Sequence, residues 1–355
     1  MLRGALAADE GREFLSVVVE RLGDLFEPRL CDVYAELLTQ AIHLVYPELL
    51  PRVRRAHAPG RLPESVDRVY VLSRVTLGAE VAVTSVLMDA ARKRYPRAQI
   101  ILVGQRKNFE LFEADPHIYH YPAPYPRSSS LRDRLEASAA LNFTDGIVID
   151  PDSRLSQLGL IRICDDSQYF FFDSRSYGGD GMDSLTNLTA RWAREVFGIS
   201  AIWPYIAPRP IPGLPADITV SLGVGENASK RIHGQFEWDL LRILSETGAS
   251  VLVDTGVSEE ERARVESALH RGMRTHRGAF APFAAEIARS RLFVGYDSAG
   301  GHVASACGVP LISIARGFAS ERMAARWRPN GVVIDGGAPD VLEQVSKAVT
   351  CTFRR

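Results

Sequence analysis

The chain has 355 residues, enough for two ordinary domains and an appendage. It is 46% hydrophobic and 24% charged, which is the composition of a globular protein rather than a disordered or fibrous one. Lys and Arg number 42 against 43 Asp and Glu, and the resulting net charge of −1 argues against a general nucleic-acid binder.

Residues 1–66 read as a helical extension. In "LCDVYAELLTQAIHLV", Leu30, Val33, Tyr34, Leu37, Leu38, Ala41, Ile42 and Val45 recur at the three-and-four spacing of one helix face. The opening "MLRGALAADEGREF" meets acids before a signal-peptide core could form, and no apolar run approaches the ~20 residues that cross a bilayer. A cytoplasmic protein is therefore expected. "RRAHAPGRLPES" breaks the helical pattern and reads as a linker.

From about residue 68 short apolar runs alternate with amphipathic helices. "RVYVLSRV", "AQIILVG" and "DGIVIDP" read as strands, with "EVAVTSVLMDAARKRYP" and "RKNFELFEAD" as helices. The Pro-rich "YIAPRPIPGLPAD" (205–217) reads as a hinge. The alternation then restarts, with strands "DITVSLGVG", "ASVLVDTG", "LFVGYDS" and "VPLISIA". The helices of this half are "QFEWDLLRILSETG", "SEEERARVESALHRG", "FAPFAAEIARSR", "GGHVASACG" and "PDVLEQVSKAVTCTF". The expected class is α/β, two Rossmann-like domains facing a ligand cleft at the carboxyl ends of their strands. The expected boundaries are 1–66, 67–207 and 208–355.

Metal chemistry finds no pattern in the sequence. Cys31, Cys164, Cys307 and Cys351 are scattered and read as reduced thiols, and the eight histidines include no H-E-x-x-H. His117 and His120 lie in "DPHIYHYPAPYP", which reads as a Pro-rich surface loop. No metal and no cofactor are expected.

The stretch "GYDSAGGHVASACGVPLISI" (295–314) places Asp297 and Ser298 at a strand's carboxyl end, with Gly300, Gly301 and His302 opening the next helix. Free amides at a helix N-terminus suit phosphate, and glycine allows close approach of a ligand to the backbone. The alternative is structural: Asp297 a cap, the glycines a turn, His302 a core residue. With the preceding "AEIARSRLFV", this stretch resembles the C-terminal signature of the heptosyltransferase family of glycosyltransferases, D-S-x-x-x-H-x-A-x-x-x-G-x-P. Asp297, Ser298, His302, Ala304, Gly308 and Pro310 stand at that spacing.

The resemblance implies the GT-B fold and covers roughly residues 68–350, most strongly the last third. It implies that the 297–302 loop holds the diphosphate of a nucleotide-sugar donor. Ser229, Lys230 and Arg231 match the family's S-K-R, while Ile232 and His233 stand where Trp-Pro is usual. Lys230 would then touch the donor phosphates and neutralise charge on the leaving nucleoside diphosphate. Alone, the pair would read as a solvated loop. Ala79-Glu80 stands where the family has Gly-Asp, so Glu80 is the implied base, its alternative being a first-turn acid favoured by the helix dipole. Among Glu259, Glu260 and Glu261, Glu259 sits nearest its strand and would bind the nucleoside, unless all three only serve the dipole. In the polar stretch 150–188, Arg154, Gln157 and Tyr177 are acceptor candidates.

The expected activity is inverting, metal-independent transfer of a sugar, most plausibly a heptose from an ADP-linked donor. The acceptor is left open among saccharides, lipid-linked saccharides, natural-product scaffolds and protein side chains. The N-terminal helices offer a homodimer face, and the Arg- and Ala-rich composition suits a GC-rich bacterial genome. The rival readings are a nucleotide-sugar hydrolase or epimerase, and a catalytically altered binding or assembly module. A dinucleotide oxidoreductase has only the two glycines of "LGVGENA" behind it.

Overall fold

The computed structural model describes residues 2–54, 60–125, 129–225 and 227–353. The chain divides into two compact units: 1–109 with 115–204 and 319–327, and 110–114 with 205–318 and 328–355.

The first unit is built on five parallel strands, β1 Arg68–Leu72, β2 Gln99–Gly104, β3 Ile118–Pro122, β4 Ile147–Asp150 and β5 Tyr169–Phe171. Their order in the sheet is β3-β2-β1-β4-β5. Strand β1 pairs Val69 with Ile100 on one side and with Ile147 on the other. The middle strands are apolar throughout because helices cover both faces of a parallel sheet. One face is covered by the N-terminal helices. Phe14, Leu15, Val19, Leu38 and Ile42 share a buried cluster with Tyr70, Leu72, Val103 and Val148. The longest of these helices, Pro28–Val45, starts with proline at a position that needs no amide donor.

The connection after β1 is one helical run with an interruption. Leu77–Ala79 is α-helical, Glu80–Thr84 forms a π turn, and Ser85–Arg94 returns to α. A π turn takes an extra residue into a helix and is frequent at functional sites. The helix Leu185–Phe197, capped by Ser184 and closed by Gly198 in the left-handed region, hydrogen-bonds this run from Thr186 Oγ1 to the Ala82 carbonyl (3.0 Å).

The second unit carries β6 Ile218–Ser221, β7 Val251–Asp254, β8 Arg274–His276, β9 Leu292–Tyr296, β10 Leu311–Ala315 and β11 Val332–Asp335. They form a parallel sheet of order β11-β10-β9-β6-β7-β8. Each sheet thus follows the doubly-wound order third, second, first, fourth, fifth, with β11 as a sixth strand in the second. The order reverses between β1 and β4 in the first unit and between β6 and β9 in the second, which is where such sheets bind ligands.

Two expectations need correction. "RKNFELFEAD" is helical only over Arg106–Phe109; the Leu111 carbonyl instead accepts from Ala207 N of the Pro-rich stretch (2.7 Å), and Ala114 N donates to the Ala207 carbonyl (2.9 Å). Within "DPHIYHYPAPYP", Ile118–Pro122 is not loop but the edge strand β3, where His120 stacks on Phe109 at 4.7 Å and contacts the Gly104 carbonyl, while His117 lies in the turn before it.

Candidate functional site

At the carboxyl end of β1 the chain runs through Ser73-Arg74-Val75 before its helix begins. Val75 has φ +70, a conformation that a β-branched residue adopts only when its surroundings force it. This turn brings the Ser73 hydroxyl (2.7 Å) and the Arg74 amide (3.0 Å) onto Glu80 Oε2, and Asn108 Nδ2 donates to the same oxygen at 2.9 Å. Glu80 has no solvent exposure, and its Oε1 is buried without a hydrogen-bond partner. Burial pushes its carboxyl up to about 7, opposed by the bonds from Ser73, Asn108 and Arg74. The result is a carboxylate near half-ionisation at neutral pH with one oxygen unused, which suits a general base.

The acceptor candidates have partners within the first unit. Arg154 reaches Asp24 (3.4 Å) and Glu20 (3.7 Å). Gln157 is buried in a left-handed turn and donates to Ser138 Oγ (3.1 Å). The Tyr177 hydroxyl donates to Glu195 (2.6 Å).

In the second unit, the loop after β6 leads into a turn of 3-10 helix, Ala228–Lys230, where Asn227 Oδ1 accepts from the amide and hydroxyl of Ser229. Lys230 Nζ donates to Asp297 Oδ2 (2.5 Å) and to the Asp297 carbonyl (3.1 Å), and lies 5.3 Å over the Phe318 ring. The half-buried Arg231 follows, and the Ile232 amide donates to the Tyr296 hydroxyl (3.2 Å). Asp297 and His302 are nearly buried; burial lowers the His302 pKa, and the Asp297 carboxylate opposes it. Ser298 stands at the N-terminus of the helix Ala299–Ala306, its hydroxyl buried without a partner. Gly300 is a packing glycine, since a Cβ there would lie 2.6 Å from Phe293 Cζ, whereas Gly301 has room for one. The loop around Ser229 and Lys230 thus converges with the end of β9 on one cation, one free hydroxyl and a helix N-terminus. That arrangement has the chemistry that suits an anion.

Two groups of residues were not singled out from sequence. Ser73 and Asn108, which hold Glu80, carry no local signal. Glu261 does: it stands three residues after the cap Ser258, the capping-box spacing, and its Oε2 accepts from the Val257 amide (3.2 Å). The same carboxylate lies against Gly223 after β6 and Gly256 after β7, where a Cβ would come within 2.8 and 2.2 Å of it. Glu259 is exposed. Asp254, at the end of β7, is pushed up to about 6 by burial, with His276 opposing.

Gly317 fixes the loop that carries Ser229 and Lys230. Its φ is +75, and a Cβ would lie 2.4 Å from Ser229 Oγ and 3.1 Å from Lys230 N. Gly317→Ala is expected to cost about 1–2 kcal/mol, read by thermal unfolding. It should also reduce stabilisation by nucleoside diphosphate, because the displaced backbone is that of Ser229 and Lys230.

No group of three or more His, Cys, Asp or Glu is placed to hold a metal ion among the described residues, and no helix there is long and apolar enough to cross a membrane. Comparison with known proteins gives three findings. The model of glycosyltransferase family 9 (heptosyltransferase) matches residues 232–334. That span contains the 297–302 loop, begins two residues after Lys230, and leaves Glu80 outside. A search of curated proteins gives no match. Among solved structures, a family 9 glycosyltransferase from Veillonella parvula is 16% identical with a TM-score of 0.61, covering 83% of this chain and 99% of that one. Escherichia coli heptosyltransferase WaaC with ADP is 16% identical at TM-score 0.55, covering 81% and 99%. The E. coli ADP-heptose lipopolysaccharide heptosyltransferase II is 15% identical at TM-score 0.56, covering 81% and 98%. Residues 232–334 thus match the heptosyltransferase family's model, and the chain shares the GT-B fold of these glycosyltransferases.

Proposed function

We propose that the protein transfers a heptose from an ADP-linked donor to an acceptor hydroxyl, with inversion and without a metal ion. The observation that carries this reading is Lys230 held against Asp297, the residue before Ser298, at the carboxyl end of β9. The family-matched segment holds Asp297 and Ser298 and begins just after Lys230. A diphosphate arriving there would draw Lys230 from Asp297 and take the free amides and the Ser298 hydroxyl. Those groups supply the positive potential that the leaving diphosphate needs, which supports a metal-independent step. Asp297, once released, would face the donor sugar and accept from its hydroxyls. Glu261, seated between the ends of β6 and β7, is better placed than the exposed Glu259 to meet the nucleoside ribose.

In the first unit Glu80 would take the proton of the acceptor hydroxyl through its unused Oε1. The acceptor oxygen then bonds to the anomeric carbon, and the sugar–phosphate bond breaks with its electron pair leaving on the diphosphate. Displacement from the opposite side inverts the anomeric centre. The boundaries 1–66, 67–207 and 208–355 assign the extension, the acceptor half and the donor half. A cytoplasmic location and a homodimer through the N-terminal helices belong to the same proposal.

The test is incubation with ADP-, GDP- and UDP-linked sugars in chelator, with and without a panel of hydroxyl acceptors. Acceptor-dependent release of ADP and a product of inverted anomeric configuration are expected. Equal release without acceptor would make the protein a hydrolase. The complete burial of Glu80 favours a second reading, a binding module, which requires nucleotide binding without turnover of any donor.

A further inference from the structure

The acceptor side of the first unit already holds carboxylates of its own. Glu20, Gly23 and Asp24 of the extension lie against a cluster of arginines from the helix Leu131–Ala140 and the segments after β4 and β5. Arg175, after β5, is paired with Asp152 at 2.6 Å and with Asp24 at 3.6 Å. Arg154, after β4, contacts Asp24 and Glu20, and Arg134 donates to Glu20 at 2.9 Å. Arg74, after β1, donates to the Pro151 carbonyl (2.8 Å) and lies 3.8 Å from the Asp152 carboxylate. Burial, with Arg175 and Arg154 nearby, lowers the Arg74 pKa to about 10, opposed by Asp152 and Asp24. The Arg74 amide is bonded to Glu80. The arginine cluster therefore adjoins the proposed base.

The extension is seated on this cluster by design of its own sequence. Gly23 lets Arg175 approach, since a Cβ there would lie 2.9 Å from the arginine's Cδ and Nε. Phe26, at φ +57 and 1% exposed, packs edge-on to Trp327 at 6.0 Å, and its carbonyl accepts from Arg322 (3.3 Å). A bulky residue in the left-handed region is held there only when neighbours over-determine it.

We propose that Glu20 and Asp24 are specificity-determining residues that occupy the anion site of the acceptor side, so that this enzyme accepts an uncharged hydroxyl compound in place of an anionic one. The proposal rests on the transferase reading only for the word acceptor; the occupied site is a property of the first unit. The two carboxylates satisfy guanidinium groups that a phosphate or carboxylate of the acceptor would otherwise have to meet. An acceptor anion would have to displace them and leave them unpaired, a negative selection built into the chain.

The experiment compares the full chain with E20Q/D24N and with D24N alone by thermal unfolding in inorganic phosphate and in sodium chloride of equal ionic strength. Any phosphate bound at the donor site acts equally on all three, so the difference between variant and parent is what counts. Both variants are expected to melt lower in chloride and to regain several degrees specifically in phosphate, with no such gain in the parent. A variant that phosphate restores no better than chloride would overturn the proposal and leave the acids as staples of the extension. A parent that responds as strongly as the variants would also overturn it. D24N, whose carboxylate is the more exposed of the two, decides the matter if the double variant does not fold. Since no transfer is measured, failure of the transferase reading would leave these outcomes unaltered.

Discussion

Glu80→Gln is expected to lower kcat by about 10²- to 10⁴-fold, the usual contribution of a positioned general base, while leaving nucleotide binding unchanged. The substitution keeps the shape of the site. The glutamine carbonyl oxygen can accept from Ser73, Arg74 and Asn108 as Oε2 does, and its amide takes the place of the unpartnered Oε1. The pH profile separates a base from a structural acid. Because the carboxyl is pushed up to about 7, kcat/KM should rise with pH and level off above that value, and the glutamine variant should lose this limb. Ser73→Ala removes a bond to the ionised form and should move the limb to higher pH.

Stability has the opposite dependence on pH. A carboxyl whose folded pKa stands above its ordinary value of 4.5 favours the fold fully below that value, and this contribution is lost as pH rises through about 7. The parent should therefore lose unfolding temperature over this window relative to the variant. An unchanged kcat in a folded Gln variant would remove Glu80 from the chemistry and favour the binding module.

The strands that the sequence reading found are the interior ones, and the ones it missed are the four sheet edges. β1, β2, β4, β6, β7, β9 and β10 have a neighbour on each side and helices on their faces, so they are written as largely apolar runs such as Ile100-Ile101-Leu102-Val103. β8 is Arg274-Thr275-His276, and β5 has three residues; an edge pairs on one side only and can be short and polar. The family motif at 297–310 was legible because its residues are close in the chain and the strand–helix context is local. Glu261 was legible in principle from Ser258 three residues before it. The surroundings of Glu80 were not, since Asn108 lies 28 residues away and reaches it only through the order of β1 and β2. Nor could the contacts of the extension be read: Asp24 and Arg154 are 130 positions apart. A one-dimensional pattern records which face of an element is buried, but not which distant charge meets it there.

Lys230→Ala should abolish stabilisation by the donor nucleotide and lower kcat by about 10²–10³-fold, the scale for removing one preorganised donor from a developing anion. A ligand at a hundredfold excess over Kd stabilises a folded protein by about 2.7 kcal/mol, an easily measured rise in unfolding temperature for the parent with ADP. The substitution also orphans Asp297, which is nearly buried and has Lys230 as its cation at 2.5 Å. Losing a hydrogen bond to a charged group costs about 1.5–3 kcal/mol, so the variant should melt lower than the parent before any ligand is added. That loss could be mistaken for the cause of weak binding, and the double variant K230A/D297N distinguishes the two. Asparagine carries no charge to leave unpaired, so the double variant should regain much of the lost stability, the coupling expected of residues in contact. It should still fail to respond to ADP, because the phosphate cation is gone. Recovery of both stability and nucleotide response would mean that Lys230 only neutralises Asp297, and the phosphate-binding role would pass to the helix N-terminus at Ser298.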